Sequence, residues 1–100
     1  MKKGYWVVAY RSISDTAAVQ AYAAIAKPAI EAAGGTVLAV PGGPVVTHEA
    51  GVAQSTVIVE FASFELAQRA YASTDYRAAL RALGNGAERD FRIVEGAARA

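Results

Sequence analysis

The sequence predicts an α+β domain, on three observations. Four segments are rich in β-branched and aromatic residues, helical-period stretches lie between them, and glycine or proline punctuates most junctions. Tyr5 to Tyr10 reads as the first strand, aromatic and β-branched. Ser14-Asp15 offers a helix N-cap, and Val19, Tyr22, Ile25, Ala29, Ile30 and Ala33 follow at helical spacing. Pro28 is expected to kink or break that helix, because it removes a donor and crowds the preceding turn. Gly34-Gly35 ends it. Thr36 to Val40 is a second strand, Pro41-Gly42-Gly43-Pro44 a turn, and Val45 to Glu49 a short partner strand. Gln54 to Phe61 is the third principal strand. Ser63 then caps a helix over Phe64 to Ala72, with Glu65 in its first turn. Ser73-Thr74-Asp75 restarts a helix to about Leu83, and Gly84-Asn85-Gly86 stops it. Glu88 to Glu95 is the last strand. The order β-α-β-(β)-β-α-β is that of a ferredoxin-like subunit with a mainly antiparallel sheet.

One hundred residues make a single domain, expected over 1–96 with a loose tail at 97–100. Hydrophobic residues reach 54%, although about a quarter of the chain is alanine, so the large side chains must form the core. A net charge of +1 with 19% charged residues argues against disorder and against electrostatic binding of nucleic acid or anionic lipid. The absence of cysteine removes disulfides, thiol nucleophiles and Cys-based zinc sites, and a single histidine argues against an imidazole metal cage. No metal and no cofactor is expected. Met1-Lys2-Lys3 precedes an apolar run too short for a secretory signal, and no segment approaches the ~20 residues that span a bilayer. A soluble, cytoplasmic protein is expected.

Both helices of such a fold cover one face of the sheet, so the other face should alternate polar and apolar residues. Val37-Leu38-Ala39-Val40 and Val57-Ile58-Val59 are instead continuously apolar. No third covering element exists to shield them, so a homodimer pairing sheet to sheet is expected.

The residues Gly4-Tyr5-Trp6, Asp15, Gly34-Gly35, Gly42-Gly43, Val57 to Ser63, Tyr71 to Tyr76 and Ile93-Val94-Glu95-Gly96 occur in an order that spans nearly the whole chain. In this the sequence resembles the small bacterial domain of unknown function numbered 1330, of the dimeric α+β barrel superfamily. The resemblance implies a ferredoxin-like subunit and a barrel-like dimer, and it implies no reaction. Relatives in the wider superfamily include cofactor-free monooxygenases, lactone isomerases, polyketide cyclases, haem enzymes and ligand-binding domains, among which fold does not choose. Family members often carry basic residues where this chain has Pro41 and Leu83-Gly84-Asn85. A ligand of lower charge, or the use of Arg77 or Arg81, would accommodate that departure.

Strand alternation sorts the remaining candidates. Ser55, Val57, Val59 and Phe61 are expected against the helices, with Thr56, Ile58 and Glu60 opposite. On the first strand Val7 and Ala9 are expected inward, placing Trp6, Val8 and Tyr10 on the far face; on the last strand Phe91 and Ile93 go inward and Arg92 outward. Trp6, Tyr10, Thr56, Glu60 and Arg92 would then line one concave surface. Glu60, a carboxylate in an apolar strand, is the candidate general base or acid, with Tyr10 or Tyr22 steering a substrate; its alternative is a strand-end pair with Arg92 or Arg11. His48 titrates near neutrality and is either a second catalytic group or a surface residue. Arg77 and Arg81, four apart on a helix, are either an anion clasp or solvated charges. Tyr22, Phe64, Tyr71 and Tyr76 have core-compatible spacing. Three functions fit this inventory: cofactor-independent proton-transfer chemistry on a small organic metabolite (isomerase, cyclase or monooxygenase type), non-catalytic binding of such a molecule, or a purely structural dimer.

Overall fold

The computed structural model describes residues 2–98; Met1, Arg99 and Ala100 lie outside the described residues. Of the expected tail, Ala97 and Ala98 follow the last strand without regular structure. The elements run β1 (Gly4–Ile13), α1 (Thr16–Ala32), β2 (Thr36–Ala39), β3 (Thr56–Phe61), α2 (Phe64–Ala72), α3 (Thr74–Leu83) and β4 (Ala87–Glu95). The strands form one sheet in the order β2-β3-β1-β4, with every neighbouring pair antiparallel. This is the ferredoxin-like arrangement that the element order predicts. The molecule is a plate, 43 × 38 × 17 Å, with the helices on one side of the sheet.

Local chemistry accounts for the boundaries. The Asp15 side chain accepts from the Ala18 N–H at 3.1 Å, capping α1. At its other end Gly34 adopts φ +86°, and the Gly35 N–H donates to the Ile30 carbonyl at 2.8 Å, a Schellman closure. Pro28 does not break α1, which continues through it. Pro28 and Ala24 both lie on the exposed side, so the carbonyl that loses its helical donor faces water. Ser63 caps α2 by accepting from the Leu66 N–H at 3.1 Å. Ser73 ends α2 and begins α3: its hydroxyl donates to the Ala70 carbonyl at 2.8 Å and accepts from the Tyr76 N–H at 3.2 Å.

Three expectations are corrected. The strand expected over Val45 to Glu49 does not form; residues 40–55 are irregular, Glu49 sits at φ +56°, and among the described residues no strand pairs with residues 45–49. In α1, Ala26 rather than Ile25 turns inward, and Ile25 is exposed. In β1 the facing is reversed. Trp6 is 1% exposed, donates its Nε1–H to the Ala67 carbonyl of α2 at 2.8 Å, and pairs with Val59 and Ile93, so Trp6, Val8 and Tyr10 face the helices. Tyr5, Val7 and Ala9 face outward. The reason lies at Gly4, where a Cβ would stand 2.4 Å from the Ser63 carbonyl oxygen. That close approach needs glycine, and it fixes the parity of every later residue on the strand.

The core follows from this parity. Trp6 sits at its centre, with ring centroids of Tyr76, Phe61, Phe91 and Tyr71 at 4.8, 5.0, 5.1 and 6.3 Å. Val8, Val59 and Phe61 from the sheet meet Ala67, Ala70, Tyr76, Ala79 and Leu83 from α2 and α3.

Candidate functional site: an aromatic cleft beneath α1

The long helix α1 packs mainly on α3 rather than on the sheet. Its sheet-facing positions include Ala23 and Ala26, whose methyl groups cannot fill the space beneath them. A cleft of about 580 Å³ remains between α1 and strands β2, β3 and β1. Its walls are Val19, Ile30, Val37, Val57 and Val59, and Val40, Pro41 and Ser55 belong to or adjoin the irregular 40–55 segment at one margin. Trp6, the chain's single tryptophan, lines it too.

One polar cluster of the cleft joins β4, β1 and α1 to Tyr76 of α3. Arg89 on β4 pairs with Tyr10 on β1, and its guanidinium lies 5.6 Å from the Tyr10 ring centroid, 4.7 Å from Tyr22 and 5.4 Å from Phe91. Arg89 Nη1 donates to the Tyr22 hydroxyl at 3.0 Å. The hydroxyls of Tyr22 and Tyr76 are 2.6 Å apart. Among the described residues, no carboxylate forms an ion pair with Arg89. Burial disfavours its cation, but interactions with Tyr22 and Tyr76 outweigh that and hold the guanidinium above its ordinary value. Burial, then the neighbouring Tyr22, pushes the Tyr76 phenol well above the usual tyrosine value; Tyr10 moves in the same direction for the same leading reason.

A pH dependence follows. The folded state holds a Tyr76 proton that the unfolded chain releases near pH 10, so the associated stability is complete below that value and falls as pH rises beyond it. Stability should decline above about pH 10 by up to ~1.4 kcal/mol per pH unit for this phenol. Guanidinium unfolding midpoints at pH 8 and 10.5 check this, and equal midpoints would contradict it.

The structure divides the residues singled out from sequence. Tyr10 and Tyr22 meet in the cleft, with Trp6 in its wall. Thr56, Glu60 and Arg92 lie on the opposite, open face of the sheet, so the single concave surface expected for these five does not exist. The cause is the reversed β1 parity. Glu60 accepts from the Tyr5 hydroxyl at 3.0 Å and pairs with Lys3 at 3.9 Å, and neither Arg92 nor Arg11 is its partner. Those two arginines pair with Asp90, at 3.1 and 2.8 Å. The hydrogen bond from Arg92, ahead of the nearby positive charges, holds the Asp90 carboxyl below its ordinary value. The Thr56 hydroxyl turns back to the Gln54 carbonyl at 3.0 Å. His48 is exposed in the irregular segment and is not among the residues lining the cleft. Arg77 and Arg81 do share a surface, a shallow depression of about 360 Å³ with Tyr71 and Leu80. Among the described residues, no group of three or more His, Asp or Glu side chains is placed to hold a metal ion, and no helix is long and apolar enough to cross a membrane.

Sequence reasoning missed Arg89, and it favoured packing for Tyr76 while leaving open that a phenol beside the helix break reaches the cleft. The signal for Arg89 is present: with Phe91 and Ile93 inward on β4, period two puts Arg89 on the same face. An arginine on an apolar strand face needs a reason.

Comparison with known proteins agrees with this geometry at the level of fold. No curated protein matches the chain. A Rhodopseudomonas palustris protein of unknown function superposes with a TM-score of 0.71 at 15% identity, over 97% of this chain and 84% of that one. A Caulobacter crescentus protein provisionally named an antibiotic biosynthesis monooxygenase gives 0.57 at 11%, over 97% and 91%. A dimeric ferredoxin-like protein of unknown function from Thermobifida fusca gives 0.55 at 16%, over 97% and 92%. The family model for the domain of unknown function DUF1330 matches residues 3–97. Nearly end to end, then, the chain belongs to the DUF1330 family.

Proposed function

We propose that the protein binds a small, largely apolar organic molecule in the cleft beneath α1, and that it does so as a homodimer. The observation carrying the first part is the cleft itself. Its volume suits a small metabolite, its walls are largely aliphatic and aromatic, and Arg89, Tyr10 and Tyr22 converge at one place in it. A purely structural protein gains nothing from an unfilled space of this size beside its core.

The dimer rests on the open sheet face. Val7, Ala9 and Ile58 form its apolar middle, with the exposed Val94 beside them. Tyr5–Glu60–Lys3 lies at one end, and Arg92 and Asp90 on β4 stand across from Val7 and Ala9, with Arg11 beyond them. Among the described residues, no element covers that face. The accessible surface of 6407 Å² also exceeds the roughly 5,400 Å² usual for a monomer of this mass. A second copy placed sheet to sheet would cover it with two-fold symmetry.

Cofactor-independent proton-transfer chemistry is the second reading, favoured by Arg89 and Tyr22, which are placed to stabilise an enolate oxygen, and by the name given to the Caulobacter relative. Binding without turnover is the better-supported reading, because Glu60 and His48, the expected proton acceptors, lie outside the cleft. Glu31 is the carboxylate that lines it.

Native mass spectrometry of freshly purified protein tests both parts. The expected result is a species of twice 10.4 kDa carrying up to two small-molecule adducts. Ile58→Asp should convert it to monomers. A bare monomer at micromolar concentration would overturn the dimer, and a cleft that takes up no apolar compound from an added panel would overturn the binding role.

A further inference from the structure

The proton inventory of the cleft specifies what kind of head group it takes, an inference that rests on the binding role proposed above. Tyr76 is 1% exposed, and a buried hydroxyl left without an acceptor is costly. Arginine has only donors, so among the groups in contact with the Tyr76 phenol the Tyr22 oxygen is the acceptor. Tyr76 therefore donates to Tyr22. The Tyr22 oxygen also accepts from Arg89 Nη1 at 3.0 Å, so both of its lone pairs are occupied. Its own O–H is left to point elsewhere, and Tyr22 lines the cleft. Arg89 has five N–H donors, lies among the rings of Tyr10, Tyr22 and Phe91, and has no carboxylate partner among the described residues.

The Arg89–Tyr22–Tyr76 cluster thus offers donors and a positive charge, while Glu31, the carboxylate that also lines the cleft, stands nine residues, about 13 Å, beyond Tyr22 along α1. We propose that the cleft selects an organic oxyanion, a carboxylate or enolate whose oxygens take the Tyr22 O–H and the Arg89 guanidinium while its apolar body lies along Val57, Val59 and Ile30. A neutral amide would bring N–H donors to a cluster that, among the described residues, holds no carboxylate to accept them. A cationic ligand would meet Arg89 directly. The aromatic rings around the half-buried guanidinium shield it in part from water, which strengthens a charge-assisted hydrogen bond relative to the same bond in bulk solvent.

Calorimetric titration at pH 7 with 2-naphthoate and 2-naphthamide, which share an apolar body and differ in head group, tests this on the intact protein. The acid is expected to bind at least tenfold more tightly than the amide. Arg89→Met should abolish that preference. Tyr22→Phe, which keeps the ring and deletes the O–H, should reduce the preference in a folded protein should Arg89→Met not fold. Equal affinities in the wild type would overturn the oxyanion assignment and leave the binding role standing. Failure of both probes to bind would defeat both.

Discussion

Trp6→Ala is expected to lower stability by about 3–5 kcal/mol, the usual range for emptying an aromatic site in a packed core. Trp6 is the hub of the aromatic cluster: four rings stand within 6.3 Å of it, and its indole N–H satisfies the Ala67 carbonyl across the sheet–helix interface. Its neighbours in the core include alanines 67, 70 and 79, whose methyl groups are too short to fill the void. For a domain whose total stability is about 5–15 kcal/mol, such a loss removes a large share. The melting temperature should fall by roughly 15–30 °C, at about 4–8 °C per kcal/mol for a domain near this size. Circular dichroism melts check it, with Trp6→Phe as the milder variant that keeps a ring and loses the donor. An alanine variant melting within a few degrees of wild type would show that Trp6 is not the hub.

Gly4→Ala should cost about 3 kcal/mol or more, although it adds a single methyl group. The new Cβ would lie 2.4 Å from the Ser63 carbonyl oxygen, 2.7 Å from the Phe64 Cα and 2.8 Å from its nitrogen. All three are backbone atoms at the start of α2, so relief requires moving the helix off the strand, and the usual ~1–3 kcal/mol of overpacking is a lower bound. Gly43→Ala supplies the contrast. Its nearest neighbour is the Val40 carbonyl at an ordinary 3.6 Å, and its stability should stay within about 0.5 kcal/mol of wild type. Chemical denaturation of the two variants side by side measures the difference, and similar midpoints would remove the packing argument for Gly4.

These residues also show why the element order was legible in the sequence and the site was not. Caps and stops at Asp15, Gly34, Ser63, Ser73 and Gly84 are local chemistry, and each acts where its residue type says it should. The alternation of β3 and β4 was equally plain, because Phe61 and Phe91 have nowhere else to go. On β1, both faces carry apolar residues, so alternation alone is symmetric. The tie is broken by the distance between Gly4 and α2, a tertiary contact that composition does not announce. One parity error then carried Trp6 and Tyr10 to the wrong side and grouped them with Glu60. The cleft was invisible for a related reason. It exists because small residues on α1 face the sheet, and an alanine reads alike in sequence whether its methyl abuts a neighbour or an empty space.

The shared cap at Ser73 has a consequence for how this chain can vary. One side chain is the elbow joining α2 to α3, so there is no spare linker in which to absorb an added or deleted residue. Each residue gained there would swing Tyr76 by about 100° around the axis of α3 and carry its phenol away from Tyr22. Changes of length are therefore far better tolerated in the irregular 40–55 stretch than at this joint, where helix phase and cleft polarity are set together.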